Sequence, residues 1–216
     1  MRICMKKQRA FERIVAGIFL ILGMITVVSV LLITIYLVIA GVPAIRKIGL
    51  ISFLFGKEWH STAATPEFGI LPFILTSIYG TVCAVILGAP IGFLTAVFLS
   101  KIAPYNLRRA VETAVSLLAG IPSVVYGLVG MLILVPAIRN IFHIPDGASL
   151  LAAIVVLAIM VLPSIIKVSL NALDAVPREY EEASLALGAT PVETYFKVSV
   201  PAAKSGIAAA IVLGVG

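Results

Sequence analysis

Long apolar runs without charge recur along this chain and fix what it can become. Ile14 to Ala40 contains no charged residue. As a helix at 1.5 Å per residue that run measures about 40 Å, enough to cross a bilayer with tilt. Three more runs follow, roughly Phe73–Leu99, Ala114–Val135 and Leu150–Val168, and a fifth begins near Ser205. Hydrophobic residues make up 61% of the chain and charged residues 12%, with a mean hydropathy of +1.17. That composition excludes a water-soluble domain and predicts an all-α polytopic membrane protein. The fifth run reaches Gly216 after about twelve residues, too few for about 30 Å of hydrocarbon. The expectation is a chain truncated within its fifth span, with at least one further segment beyond Gly216.

The net charge of +6 invites a nucleic-acid reading, but the charges lie between apolar runs, where they set topology. Residues 1–13 hold Arg2, Lys6, Lys7, Arg9 and Arg13. A cleaved signal peptide has an apolar region of about 7–15 residues, shorter than this one, so the first run reads as a retained anchor. Lys101, Arg108, Arg109, Lys167, Arg178, Lys197 and Lys204 fall on the same side as the N-terminus. Arg46, Lys47, Lys57 and Arg139 fall on the other. The asymmetry predicts a cytoplasmic N-terminus (1–13), a first transmembrane helix (14–40), a periplasmic loop (41–71) and a transmembrane domain (72–216). That domain includes a cytoplasmic loop at 174–204.

Cys4 and Cys83 are far apart and predict neither a disulfide nor a metal pair. His60 and His143 lie on the outer side without a second ligand at metal spacing, so both read as surface histidines, and no metal site is expected. Phe53, Phe55 and Trp59 in the outer loop fit an interfacial aromatic belt or lid, with a docking surface for a soluble partner as the rival. Glycines and prolines are frequent in membrane helices in general. The cluster Gly120-Ile121-Pro122-Ser123 stands above that background, because it combines a helix break with a hydroxyl inside the third run. Ser123, Tyr126 and Ser164, with Gly120 and Pro122, are the candidates for a substrate pathway.

The inner loop after the fourth run is too polar to cross the membrane. Pro177 fits a first helical position, Glu179, Glu181 and Glu182 favour the positive end of a helix, and Tyr180, Ala183, Ser184 and Leu187 share one face. Gly188 is placed to end that helix in a left-handed conformation. Thr190-Pro191-Val192-Glu193 then matches a capping box, opening a second helix that is expected to break at Pro201. Such a pair could merely connect two spans, read DNA, or dock a cytoplasmic protein. The acidic first helix speaks against DNA, since phosphate would be repelled, and no nucleic-acid partner is expected.

The spacing Glu182-Ala183-Ser184, three residues, Gly188, nine residues, Val198-Ser199-Val200-Pro201 resembles the permease signature of ABC importers. The signature is usually Glu-Ala-Ala, then Gly, then Ile, any residue, Leu-Pro; Ser184, Val198 and Val200 depart from it conservatively. Phe53-Leu54-Phe55-Gly56-Lys57-Glu58-Trp59 and Ala119–Gly127 further resemble the C-type permease of the phosphate-specific (Pst) system, over nearly the whole chain. The resemblance implies a six-span, type I ABC importer permease in a bacterial or archaeal plasma membrane. Its implied partners are an A-type second permease, a cytoplasmic ATPase dimer, a periplasmic or lipid-anchored phosphate-binding protein, and membrane lipid. It implies that Tyr180, Glu182, Ala183, Ser184, Leu187, Gly188, Val198, Val200 and Pro201 form the element coupled to the ATPase. It also implies that a charged part of the gate follows Gly214-Val215-Gly216.

No cofactor is expected in this chain; ATP and Mg would be bound by the partner ATPase. The only Gly-Lys pair, Gly56-Lys57, is followed by Glu58 and sits outside any phosphate-loop pattern. No nucleophile–base set appears, so no catalytic residue is expected. Together with this, the resemblance implies a phosphate importer permease. A permease for sulfate or molybdate, and a non-transporting membrane scaffold or sensor, are its rivals.

Overall fold

A computed structural model of the chain describes residues 2–63 and 65–215; the side chains of residues 2–11 and 13 lie outside that description. The basic side chains expected to mark the N-terminus, Cys4 and Gly216 are thus outside the described residues. The chain divides into two compact units, residues 1–73 and 74–216.

The first unit is dominated by α1 (Arg2–Ile48). In hydrocarbon every backbone group must find its partner within the segment, so a run rich in Val and Ile becomes helix despite its β propensity. Thr26 and Thr34 direct their hydroxyls back to the carbonyls of Leu22 and Val30, at 3.0 and 2.9 Å. The helix runs past the expected end of the first span at Ala40, continuing through Pro43 to Ile48. The first residues of the expected loop 41–71 are therefore helical.

At Gly49 φ is +88°, a turn that starts the short helix α2 (Leu50–Phe55). Strands β1 (Trp59–His60) and β2 (Glu67–Phe68) then pair antiparallel, Trp59 opposite Phe68 and His60 opposite Glu67. Trp59 meets Phe68 and Phe73 edge to face, with ring centroids 5.5 and 5.6 Å apart. The loop's aromatic residues thus form a local cluster. Backbone crosses backbone at Gly56 and Gly69, where a Cβ on Gly69 would lie 2.2 Å from the Gly56 carbonyl carbon. His60 approaches Glu58 at 3.5 Å.

The second unit is helical throughout. Its elements are α3 (Leu71–Lys101, most of which lies in this unit), α4 (Tyr105–Ala119), α5 (Ser123–Val129), α6 (Val135–Phe142) and α7 (Leu150–Asp174). They are followed by α8 (Arg178–Ala186), α9 (Pro191–Thr194), α10 (Val200–Ala202) and α11 (Lys204–Val215). The third span lies elsewhere than expected. The run at 114–135 is interrupted at Gly120–Pro122, and the apolar stretch long enough to cross is Ser123–Phe142. A proline disfavours helical backbone at the residue before it, and here α4 ends at Ala119 while Pro122, with ψ 140°, is the N-cap of a new helix.

A π-helical turn, Gly130–Leu134, joins α5 to α6 and is closed by Val135 N–H donating to the Gly130 carbonyl. A second, Tyr195–Ser199, joins α9 to α10 and is closed by Val200 N–H donating to Tyr195. After each, one valine (Val135 or Val200) precedes a proline, Pro136 or Pro201. A proline ring collides with the carbonyl four residues back, and a widened turn relieves that collision. Pro201 therefore leaves the second helix unbroken, contrary to the expectation from sequence. The break comes at Ala203, where the axis bends by 71° into α11.

Helices α3 and α7 approach closely at Gly88 and Gly92, where a Cβ would come within 2.8 Å of Val161 and 2.9 Å of Ile165. α11 lies along α7, with Gly206 against Ala172 and Gly214 against Ile165. The core gathers Ala96, Val97 and Leu99 from α3, Val115 from α4, Ile166, Leu170 and Leu173 from α7, and Val176 and Ala203. It packs where the helices meet the polar 174–204 segment, and so it backs the site described next.

Candidate functional site

α8 begins at Arg178, one position after the expected first helical residue, Pro177, which is its N-cap. Glu179 and Glu181 sit in its first turn, where the helix dipole favours negative charge. Its end is a Schellman motif: Gly188 N–H donates to Leu185 at 3.0 Å and Ala189 N–H donates to Ser184 at 3.2 Å. Gly188 adopts φ +88° with nothing near its Cα, so the backbone conformation, not crowding, requires glycine there.

The capping box of α9 is present. Thr190 Oγ1 accepts from Glu193 N–H at 3.3 Å, and Glu193 Oε2 accepts from Thr190 N–H at 3.1 Å. Lys197 donates to the other Glu193 oxygen at 2.9 Å. With the Lys197 bond first and the Thr190 bonds behind it, the Glu193 carboxyl is held down to about 2.

The two helices are stitched by Ser184 and Thr194, whose hydroxyl oxygens lie 2.9 Å apart. Serine at 184, where the permease signature has alanine, thus makes a contact alanine cannot. Of the other signature residues, Tyr180, Glu182, Ala183, Leu187 and Pro201 are exposed, Val198 is half-buried, and Val200 packs against the core. Leu187 is 89% exposed, the most exposed large apolar side chain among the described residues. With Tyr180, Leu185, Val192 and Phe196 it gives the hairpin an apolar, outward surface.

The hairpin's inward anchor was invisible in sequence. Lys101, the last residue of α3, places Nζ 2.5 Å from Glu181 Oε1 and donates to the Leu173 carbonyl at 3.3 Å. Ser199 donates to the same Glu181 oxygen at 2.8 Å. Beside it, Asp174 accepts from Ser100 at 2.7 Å and from Arg108, whose Nε donates to Glu112 at 2.6 Å. Partial burial pushes the Glu181 carboxyl up. The bonds from Lys101 and Ser199, with the charges of Lys101 and Arg178, outweigh burial and leave it below its ordinary value. No local signal could have found a pair separated by 80 positions.

The five pathway candidates do not converge on one cavity. Gly120 and Pro122 form the break itself, capping α4 and α5. Tyr126 donates its hydroxyl to the Leu118 carbonyl at 3.0 Å, bridging that break. Ser123 lines an apolar cavity of about 690 Å³ between α5 and α7, with Thr76, Gly130, Val156 and Met160. Ser164 lines a separate one of about 280 Å³ beside α11. Among the described residues no group of three or more His, Cys, Asp or Glu could hold a metal ion.

A family model described as the binding-protein-dependent transport system inner membrane component matches residues 88–216, from mid-α3 through the hairpin to α11. This chain belongs to that family. An inner membrane component of this kind is a multi-pass membrane protein, in agreement with at least four helices among the described residues that are apolar and long enough to cross. Among its relatives, the probable ABC transporter permease protein YqgH of Bacillus subtilis is 38% identical over 194 residues, covering 89% of this chain and 63% of that protein. The phosphate transport system permease protein PstC of Mesorhizobium japonicum is 32% identical over 184 residues, covering 76% and 56%. PstC of Xylella fastidiosa is 34% identical over 189 residues, covering 77% and 56%. The chain thus spans about three fifths of the length of these relatives. The MetNI methionine ABC transporter, solved in inward-facing conformations, is similar at 27% identity and a TM-score of 0.59, over 68% of each chain. The all-α, type I importer architecture expected from the sequence is therefore the fold of this inner membrane component.

Proposed function

We propose that this inner membrane component is a permease subunit of an ATP-driven importer of inorganic phosphate. The observation that carries the reading is the hairpin 178–202: locally well capped, apolar and exposed outward, and tied inward to the end of α3. Relatives named as phosphate transport permeases support the substrate. In this reading Tyr180, Glu182, Ala183, Leu187 and Gly188 present the hairpin to an ATPase dimer, which binds ATP and Mg. Ser184, Val198, Val200 and Pro201 hold its shape. The spans pair with a second, A-type permease and receive phosphate from a periplasmic or lipid-anchored binding protein. Gly120, Pro122, Ser123, Tyr126 and Ser164 mark the stretch of spans proposed to border the path. The N-terminus and the hairpin face the cytoplasm, as the basic asymmetry predicts. The chain contributes motion and a path, and no chemistry of its own.

The test is labelled phosphate uptake in cells lacking this subunit, supplied with the full-length gene or its Gly188→Val variant. Restoration by the wild type and loss in the variant are expected. If the wild type restores sulfate or molybdate uptake but not phosphate, the substrate assignment falls. If the ATPase co-purifies while no oxyanion moves, a scaffold or sensor role replaces transport.

A further inference from the structure

Glu182 is the acidic residue of the permease signature, yet the carboxylate turned into the protein belongs to its neighbour Glu181. Adjacent helical residues point about 100° apart, so one faces solvent and the other the spans. The Lys101 and Glu181 side chains are only 10% and 19% exposed, and they meet at 2.5 Å. A single oxygen, Glu181 Oε1, receives both Lys101 from α3 and Ser199 from the π-helical turn before α10. The same ammonium holds the last-turn carbonyl of α7 at Leu173, and the preceding residue, Ser100, binds Asp174 at the end of α7. The end of α3 is thus clasped to both arms of the α7–α8 elbow.

We propose that the Lys101–Glu181–Ser199 contact is the positioning link that carries displacement of the hairpin into α3. It rests on the reading of the hairpin as an ATPase-docking element. Besides it, α8 and α9 are tied to the spans by the chain at 175–177 and 203 and by the apolar packing of Val200. A shielded ion pair with a third hydrogen bond has one well-defined geometry and resists being stretched, whereas an exposed pair yields to water. At 31 residues, with Pro90 inside it, α3 is about 46 Å long at 1.5 Å per residue. A push on its inner end therefore reaches far along the spans.

The experiment uses the full-length subunit in its assembled complex, reconstituted in vesicles. It compares wild type with Glu181→Gln, Lys101→Met and the charge-preserving Lys101→Arg. Bound ATPase, ATP hydrolysis and phosphate moved per ATP are read together. Glu181→Gln and Lys101→Met are expected to keep the ATPase bound and hydrolysing while phosphate per ATP falls about fivefold or more; Lys101→Arg stays near wild type. An unchanged ratio in both neutral variants overturns the proposal. So does loss of the ATPase from both, which would make the contact a support for hairpin folding alone. A readout independent of substrate is the maleimide labelling rate of Cys83, a half-buried free thiol in α3, with and without bound ATP. The rate is expected to respond to ATP in wild type and not in Glu181→Gln. A wild type that does not respond, or a variant that still does, also overturns the link. A wild type that responds to ATP but moves no phosphate condemns the transport reading and leaves the link standing.

Discussion

Gly188 shows how one residue can hold a surface element in shape. Its φ of +88° costs glycine nothing, whereas an L-residue in the left-handed region bears about 1–2 kcal/mol. Asparagine is the best-tolerated alternative there. Gly188→Asn is therefore expected to preserve most uptake, and Gly188→Val to raise hydrogen exchange across 184–190 and abolish coupling. Glu181 makes a second residue-scale prediction. Its folded-state carboxyl lies below the ordinary 4.5, so the stability it adds is fully present above pH 4.5 and lost as pH falls through the lowered value. Amide protection of α8 is expected to be level from neutral pH to about pH 5, and to decline only in more acid solution. In Glu181→Gln that acid-dependent step disappears. Tyr126→Phe removes one hydrogen bond across the α4–α5 break, at about 1 kcal/mol. It should lower thermal stability while leaving the apparent affinity for phosphate unchanged; a shifted affinity would put Tyr126 on the path.

At the scale of elements, the hairpin was the most legible part of the chain. Its caps are local: Thr190 and Glu193 are three residues apart, and Gly188 follows directly on the helix it ends. Patterns of this range survive in sequence because nothing distant need cooperate. The two π-helical turns were not legible, because a proline signals a break and carries no mark of a widened turn that avoids one. Nor was the anchor at Glu181, which depends on how α3 and α8 come together. The exposed surface of the hairpin can be tested by itself. Leu187 is 89% exposed and makes little of the fold, so Leu187→Arg is expected to leave thermal unfolding unchanged. It should weaken ATPase capture about tenfold or more, as expected for a desolvated apolar anchor.

For the whole molecule, hydropathy located four crossings and misplaced one. A window average cannot distinguish the apolar half of α4, an amphipathic helix ending at Ala119, from the span that begins at Ser123. Gly120 and Pro122 held the information, and only their backbone consequences separate the two helices. The first helix runs on past Ala40 although Pro43, Arg46 and Lys47 suggest a loop: the two basic residues suit its last turn, and Pro43 lies inside it. Orientation is open to direct measurement. Cysteines introduced at Thr62 and Asp146 should react with an impermeant maleimide on intact cells, and one at Arg178 only after permeabilisation. Labelling of Arg178→Cys from outside would invert the topology.

The π-helical turns at 130–134 and 195–199 have a consequence for evolution and for engineering. Each holds one residue more than the helix around it needs, so each is a stored insertion. Deleting Met131 or Lys197 should let an ordinary helical turn close while the flanking faces keep their register, because the widened turn had absorbed the extra residue. For the second turn, α10 and Val200 would keep the core they now face, and only the ion pair of Lys197 with Glu193 would go. These two short stretches are therefore where the helices should bear single-residue loss best, the cost being the proline collision that each widened turn now relieves.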